Sequence, residues 1–310
     1  MKDTPRRESH ERPRKAAPFL ICLAGACSRT LPYYRGKWKL SDRMVRPRLA
    51  KTGWTEVVKL RCGLRIAGDL FDEVGENIWW LGEQYERGNV TLLRSLLKPG
   101  DVFLDAGANI GLFTLLAAHL VGPEGFVVGV EPVAELFHSL QRSVVELNHL
   151  GNVICVHAAL SSKAGQGVIH IGAGDNLGSS SLEKHGGQDG ESQPVDLVTV
   201  DALAAQHPRL RRVAVMKIDT EGHELKVLEG ARQTMASAKP SILIEVRNEL
   251  LRSAGGSSEA VFQYFGELGY NSFRILSSGK LEPLDAPEEG TLILFAHPDR
   301  AGAVSSIQPR

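Results

Sequence analysis

The chain is poor in cysteine. Cys22, Cys27, Cys62 and Cys155 are the four in 310 residues, irregularly spaced, with no C-x-x-C pair. No ladder of histidines accompanies them. This excludes a disulfide framework or a structural zinc site and fits a reducing compartment, expected to be the cytoplasm. Long apolar runs are missing too: none approaches the ~20 residues of a transmembrane segment. A charge excess of one sign is absent, with 36 Lys+Arg against 36 Asp+Glu. That balance hides an asymmetry, because residues 1–51 hold 14 Lys/Arg and only 4 Asp/Glu. The basic charge therefore sits at one end.

What is present is enough apolar material, 43% of residues, for one sizeable α/β domain plus extensions. The expected boundaries are a basic, largely flexible extension over 1–51, a hairpin and helix over 52–100, the main domain over 101–297 and a flexible tail over 298–310. Within the extension, residues 1–18 mix arginines with Pro5, Pro13 and Pro18 and are expected to stay disordered. The short run Phe19 to Cys27 invites an export-signal reading. Asp3, Glu8 and Glu11 upstream, and Ala24 where a lipobox prefers Leu, favour a mobile tail or a short packing helix instead. From Arg29 to Lys51 basic residues alternate with Tyr33, Tyr34 and Trp38, the composition of an anionic-surface or nucleic-acid patch. No recognised binding motif accompanies the charge, so nucleic acid is not the expected partner.

The most informative stretch is Val102 to Gly111, an apolar strand joined to a helix by a glycine turn. Gly107 and Gly111 remove side chains where a ligand would lie against the backbone, and the helix to Val121 presents its unpaired N–H groups and positive dipole end. Asp105 closes the strand within reach of a ligand ammonium group. A dinucleotide fingerprint would need glycine or a close equivalent at 107, 109 and 112, and Asn109 and Leu112 fail it. That counts against a nucleotide-cofactor oxidoreductase. Glu131 follows Gly111 at the ~20-residue spacing of an acid that accepts hydrogen bonds from ribose hydroxyls.

Further on, Val133, Leu136, Phe137, Leu140 and Val144 recur at helical spacing and lead to a strand over Val153 to Val156. Strands are also expected over Arg212 to Asp219, Ser241 to Val246, Tyr270 to Leu276 and Thr291 to Ala296, the last antiparallel. A hairpin turning at Gly63, a strand over Ile78 to Leu81 and a helix over Gln84 to Leu97 precede the main domain. The glycine-punctuated segment Gly165 to Ser192 is too long for a tight turn and is expected to be either a substrate-facing lid or a flexible insertion.

The stretch Phe103 to Gly111, the strand end Val130-Glu131-Pro132 and above all Met216-Lys217-Ile218-Asp219-Thr220-Glu221-Gly222-His223-Glu224 resemble the FkbM-type S-adenosylmethionine-dependent methyltransferases. The resemblance covers about Trp80 to Phe295. It implies an α/β fold of the Rossmann-like class I methyltransferase type, a mostly parallel seven-stranded sheet with helices on both faces. It also implies S-adenosyl-L-methionine as cofactor, and O-methylation of a hydroxyl on a small molecule, sugar or other glycan. Asp105, Gly107, Asn109, Gly111 and Glu131 are the expected cofactor-binding residues. Asp219, Glu221 and His223 are the expected catalytic ones, with Asp219 best placed to take a hydroxyl proton. No metal is assigned; Mg²⁺ held by Asp219, Glu221 and Glu245 ranks below direct base catalysis. Capping of the following helix by these same acids is the structural alternative.

Overall fold

The runs Val102–Ala106 (β1) and Phe126–Val130 (β2) are buried at every position, the pattern of parallel strands covered on both faces. They are central members of a sheet that also contains Val153–Val156 (β3), Val215–Ile218 (β4) and Ser241–Glu245 (β5). All five run parallel. Asn271–Ile275 (β6), Leu281–Pro283 (β7) and Leu292–Ala296 (β8) complete the order β7-β6-β8-β5-β4-β1-β2-β3. As expected, the last strand is antiparallel to its neighbours β5 and β6. This is the Rossmann-like α/β class expected, with one correction: the sheet has eight strands, not seven. The addition is β7, three residues ending in a proline and too short to carry an alternating pattern.

A computed structural model describes residues 15–31, 35–49, 52–172, 176–183, 191–288 and 292–300. The expectations for residues 1–14, Tyr33, Tyr34, Gly174, Gly186, Gly187, Gly190 and the tail from 301, and for the Trp38 side chain, lie outside the described residues. No helix among the described residues is long and apolar enough to cross a membrane.

Period-two alternation divides the interior. Phe103 and Val127 face a core shared with the helix Leu112–Val121, while Leu104, Val128 and Met216 face the opposite core with Leu228, Met235 and Phe265. β1, β2 and β3 step outward in one direction, and the chain then returns to place β4 on the other flank of β1. The carboxyl ends of β1 and β4 therefore border the switch in strand order, where ligands of such sheets bind.

Three expectations change at the edges. Ile78 to Leu81 is the end of a helix, Glu73–Leu81, rather than a strand. Asp72 caps it, accepting from the N–H groups of Val74 and Gly75, and the acidic first turn complements the dipole. The expected helix over Gln84 to Leu97 begins instead at Arg87, after a 3₁₀ turn over Gly82–Gln84. The segment expected as a lid or insertion begins and ends in strand: Gly165–His170 pairs antiparallel with Ser192–Val198 in a small second sheet. The hairpin turning at Gly63 is present, with strands Trp54–Lys59 and Arg65–Asp69. Phe19–Thr30 forms a helix on Glu73–Leu81, where Ser28 donates to the Trp80 carbonyl at 2.7 Å and Gly25 lies against the Trp79 ring.

Phe265 is fully buried and stacks on Phe295 with ring centroids 4.0 Å apart. Phe265→Ala is expected to cost about 3–5 kcal/mol by opening a cavity in this core. Urea unfolding checks it through a lowered midpoint at unchanged m; a loss below about 1 kcal/mol contradicts the rigid packing inferred here.

Candidate functional site

A cavity of about 590 Å³ opens at the carboxyl ends of β1, β2, β4 and β5. Its wall carries Gly107 and Asn109 from the first loop, Glu131 after β2, Asp219, Glu221 and His223 after β4, and Glu245 at the end of β5. Asp105 and Gly111 are not on the wall.

The first loop is shaped by what glycine permits. Gly107 has φ +76°, and a Cβ there would overlap the Asp219 carbonyl oxygen, so a side chain is excluded where the β1 and β4 loops meet. Asn109 has φ 52°, the left-handed conformation that Asn tolerates better than most residues. Its N–H donates to Glu131 Oε2 at 2.7 Å, while the Val133 N–H donates to Oε1 at 2.9 Å. Each Glu131 oxygen thus keeps acceptor capacity for a second donor. Burial pushes the Glu131 carboxyl up to about 7, and these two N–H groups pull it back. Gly111, with φ +99°, caps the helix Leu112–Val121 from behind the loop.

Asp105 turns inward. It is fully buried and accepts from Thr114 Oγ1 at 2.6 Å, while its other oxygen, Oδ1, has no hydrogen-bond partner. Room for Thr114 comes from the next strand, because a Cβ at Gly129 would press on the Thr114 hydroxyl. On the other flank Lys217 of β4 is in register with Asp105. The buried Lys217 ammonium lies 2.8 Å from Asp219 Oδ2 and 5.3 Å from the centre of the Phe113 ring. Burial pulls Lys217 down, but the carboxylates of Asp219 and Asp105 outweigh it and hold the group above its ordinary value.

Asp219, Glu221 and Glu245 offer carboxylate oxygens that all lie within 4.8 Å of one another. Arg247 meets Glu221 at 3.1 Å. Burial, followed by Asp219, pushes Glu221 up to about 8, and Glu245 is displaced upward for the same reasons with Glu221 added. Glu221 has φ 52°, a conformation costly for a non-glycine residue outside the Asn/Asp class. Glu224 faces away from this group to close the loop, accepting from the Thr220 and Gly222 N–H groups. His223 is buried, with Nε2 2.9 Å from Ser161 Oγ and Nδ1 unbonded. Burial, then Lys226, lowers it to about 4, so the imidazole is neutral at pH 7.

The described part of the segment between Gly165 and Ser192 reaches this wall through Asn176, Leu177, Gly178 and Ser180. Leu177 N–H donates to Asp72 Oδ1 at 3.1 Å, Ser181 Oγ donates to the Glu221 carbonyl at 2.8 Å, and Gly178 packs against the Asn109 amide. Tyr85 and Glu86 also line the cavity, both partly buried and both shifted upward by desolvation. From the sequence Lys217 and Arg247 are expected as partners of Glu224, but they pair with Asp219 and Glu221 instead, and Ser161 and Ser181 carry no individual expectation. For Lys217 a signal was available: residues 217 and 219 are two apart, the spacing that puts side chains on one face of a strand.

Residues 105–272 match the methyltransferase FkbM domain, just over half of the chain. Methyltransferase 1 of Beauveria bassiana is 28% identical over 149 residues, covering 43% of this chain and 59% of that protein. The 31-O-demethyl-FK506 methyltransferase FkbM of Streptomyces tacrolimicus is 42% identical over 69 residues, 22% of this chain and 25% of that one. The crystal structure of methyltransferase FkbM from Methylobacillus flagellatus superposes with a TM-score of 0.42 at 14% identity, covering 84% of this chain and 60% of that one. The chain thus spans less than two thirds of the length of each of these relatives. With the cofactor-type loop, Glu131 and the acidic β4 loop on one cavity wall, and with the domain match running through all three, this chain belongs to the FkbM methyltransferase family.

Proposed function

We propose that the protein transfers a methyl group from S-adenosyl-L-methionine to a hydroxyl of a sugar or other small secondary metabolite. The observation that carries this reading is the convergence of Glu131, the Gly107–Asn109 loop and Asp219, Glu221 and Glu245 on one cavity. The residues fit the cofactor. Glu131 has one free acceptor direction on each oxygen for the ribose hydroxyls, Ala158, Ala159 and Leu160 offer apolar wall for an adenine ring, and the acids suit two cationic groups. When bound, the cofactor supplies an electrophilic methyl group on a sulfonium.

The chain's own part is to hold the acceptor in line, exclude water and take a proton. Asp219 is the proposed proton acceptor: Lys217 engages Oδ2 and leaves Oδ1 for the acceptor hydroxyl. Glu221 is proposed to hold that hydroxyl beside it, and neutral His223 to orient it by hydrogen bonding. Gly107, Asn109 and Gly111 shape the cofactor loop. Asp105, set behind the wall, acts on the cofactor through Lys217 and Thr114 rather than by contact. A hydroxyl acceptor draws support from the name of the Streptomyces tacrolimicus relative, a 31-O-demethyl-FK506 methyltransferase.

The first test is calorimetric titration with S-adenosylhomocysteine, followed by a methyl-transfer screen against glycans and polyketides with mass detection. Glu131→Ala is expected to weaken binding of the product by about tenfold or more, the worth of its charged hydrogen bonds. Asp219→Asn is expected to keep that affinity within a few-fold and to lower kcat by about a hundred- to ten-thousandfold. Absence of any heat with folded wild-type protein sinks the cofactor assignment; unchanged turnover in the Asn variant removes Asp219 as base.

The close approach of three carboxylates favours a second reading, in which they hold a divalent cation. Dialysis against EDTA separates the two. Retained turnover is expected for direct base catalysis, whereas loss that Mg²⁺ restores would establish the metal.

The raised carboxyls carry a pH consequence. Glu221 sits at about 8 in the folded chain against 4.5 ordinarily, so the folded state binds its proton more tightly than the unfolded one. The corresponding stability is present at low pH and declines as pH rises from about 4.5 to about 8. Urea melts across that window should show the decline in wild type and a flatter profile for Glu221→Gln; identical slopes would contradict the shift.

A further inference from the structure

The helix Phe19–Thr30 buries Gly25 and Ser28 against Glu73–Leu81 and leaves several of its large apolar side chains exposed. Phe19 is 78% exposed and Leu20 74%, with Leu23 and, just past the helix, Leu31 about half exposed. The next helical stretch, 35–49, rests on the same supporting helix: the Trp80 indole donates to the Lys37 carbonyl at 3.2 Å, and Arg46 pairs with Glu73 at 2.9 Å. Lys37 also donates to the Ser28 and Leu31 carbonyls, which ties the two stretches side by side. Their outer surface adds Leu40 and Met44, interleaved with exposed Lys39, Arg43 and Arg48.

We infer that this face docks on an anionic lipid surface. A 12-residue helix is about 18 Å long, too short to cross ~30 Å of hydrocarbon, but suited to lie in the interface with its apolar side down. Charge complementarity selects the partner, since Lys39, Arg43 and Arg48 stand exposed among these apolar side chains. Each basic side chain near such a surface raises partitioning about fivefold at low ionic strength. Nucleic acid is the weaker match: phosphates satisfy the cations and leave Phe19, Leu20, Leu23 and Met44 in water. The supporting helix contributes Glu73 and Val74 to the cavity wall, which sets the docking face one helix away from the site. The inference does not depend on the methyl-transfer reading.

Co-sedimentation of the full chain with vesicles of phosphatidylcholine, alone or mixed with phosphatidylglycerol, tests it. Binding is expected only to the mixed vesicles, and to fall as salt is raised. Two variants divide the contributions: Phe19→Ser with Leu20→Ser and Leu23→Ser removes the apolar part, and Lys39→Glu with Arg43→Glu reverses the charge. Each is expected to lower binding at least tenfold while the thermal midpoint stays within a few degrees. If the triple variant fails to fold, single Phe19→Ser, at the exposed helix start, carries the test with an expected drop of severalfold. Absence of binding to mixed vesicles, or equal binding to neutral ones, overturns the inference. So does a concentration-dependent dimer that the apolar variant abolishes, which would make the face a self-interface. Tight binding of a single-stranded RNA oligomer that the charge variant loses and the apolar variant keeps would likewise replace lipid by nucleic acid.

Discussion

A buried cation, Lys217, organises the cavity end of the sheet. It stands on β4 in register with Asp105 of β1, at the switch in strand order, and reaches Asp219 at 2.8 Å. Several carboxyls gathered in a water-poor region would repel one another and drive each other toward protonation. One ammonium beside them opposes this, its charge partly offsetting the upward shift that burial gives Asp105. Removing one partner of such a buried set typically costs about 3–5 kcal/mol, because the remaining charges are left uncompensated. The same lysine thus links β4 to the loop after β1, where it donates to the Gly107 carbonyl at 3.5 Å.

Much of this was legible before any coordinates. The acid at residue 131 is where the ~20-residue spacing places it, and it holds the loop through Asn109 and Val133. Asn109 is the clearest case: the position that defeats a dinucleotide fingerprint is a left-handed residue, and Asn supplies that conformation without a glycine. Asp105 was read differently, as a ligand contact, because a strand end looks open in sequence. Its side chain shares the parity of Phe103 and so points toward the helix Leu112–Val121, where Gly129 on the next strand makes room for Thr114. Local spacing reports the parity but not which neighbour fills the space.

The segment from Gly165 to Ser192 shows the opposite limit. Its glycines announce an irregular segment, yet the partners that place it are remote. Asp72 holds Leu177 across 105 positions, and Ser181 holds Glu221 across 40. No periodicity encodes such pairings. They arise because the cap of one helix and the turn after β4 lie on the same side of the cavity.

That last contact links access to chemistry. Glu221 occupies a left-handed backbone conformation that costs on the order of 1–3 kcal/mol and persists only where the surroundings over-determine it. The Ser181 hydroxyl on its carbonyl and Arg247 on its carboxylate supply that determination from two sides. The turn that carries the acids and the loop at Asn109 therefore share one support, the stretch from Asn176 to Ser181, which touches the first through Ser181 and the second through Gly178.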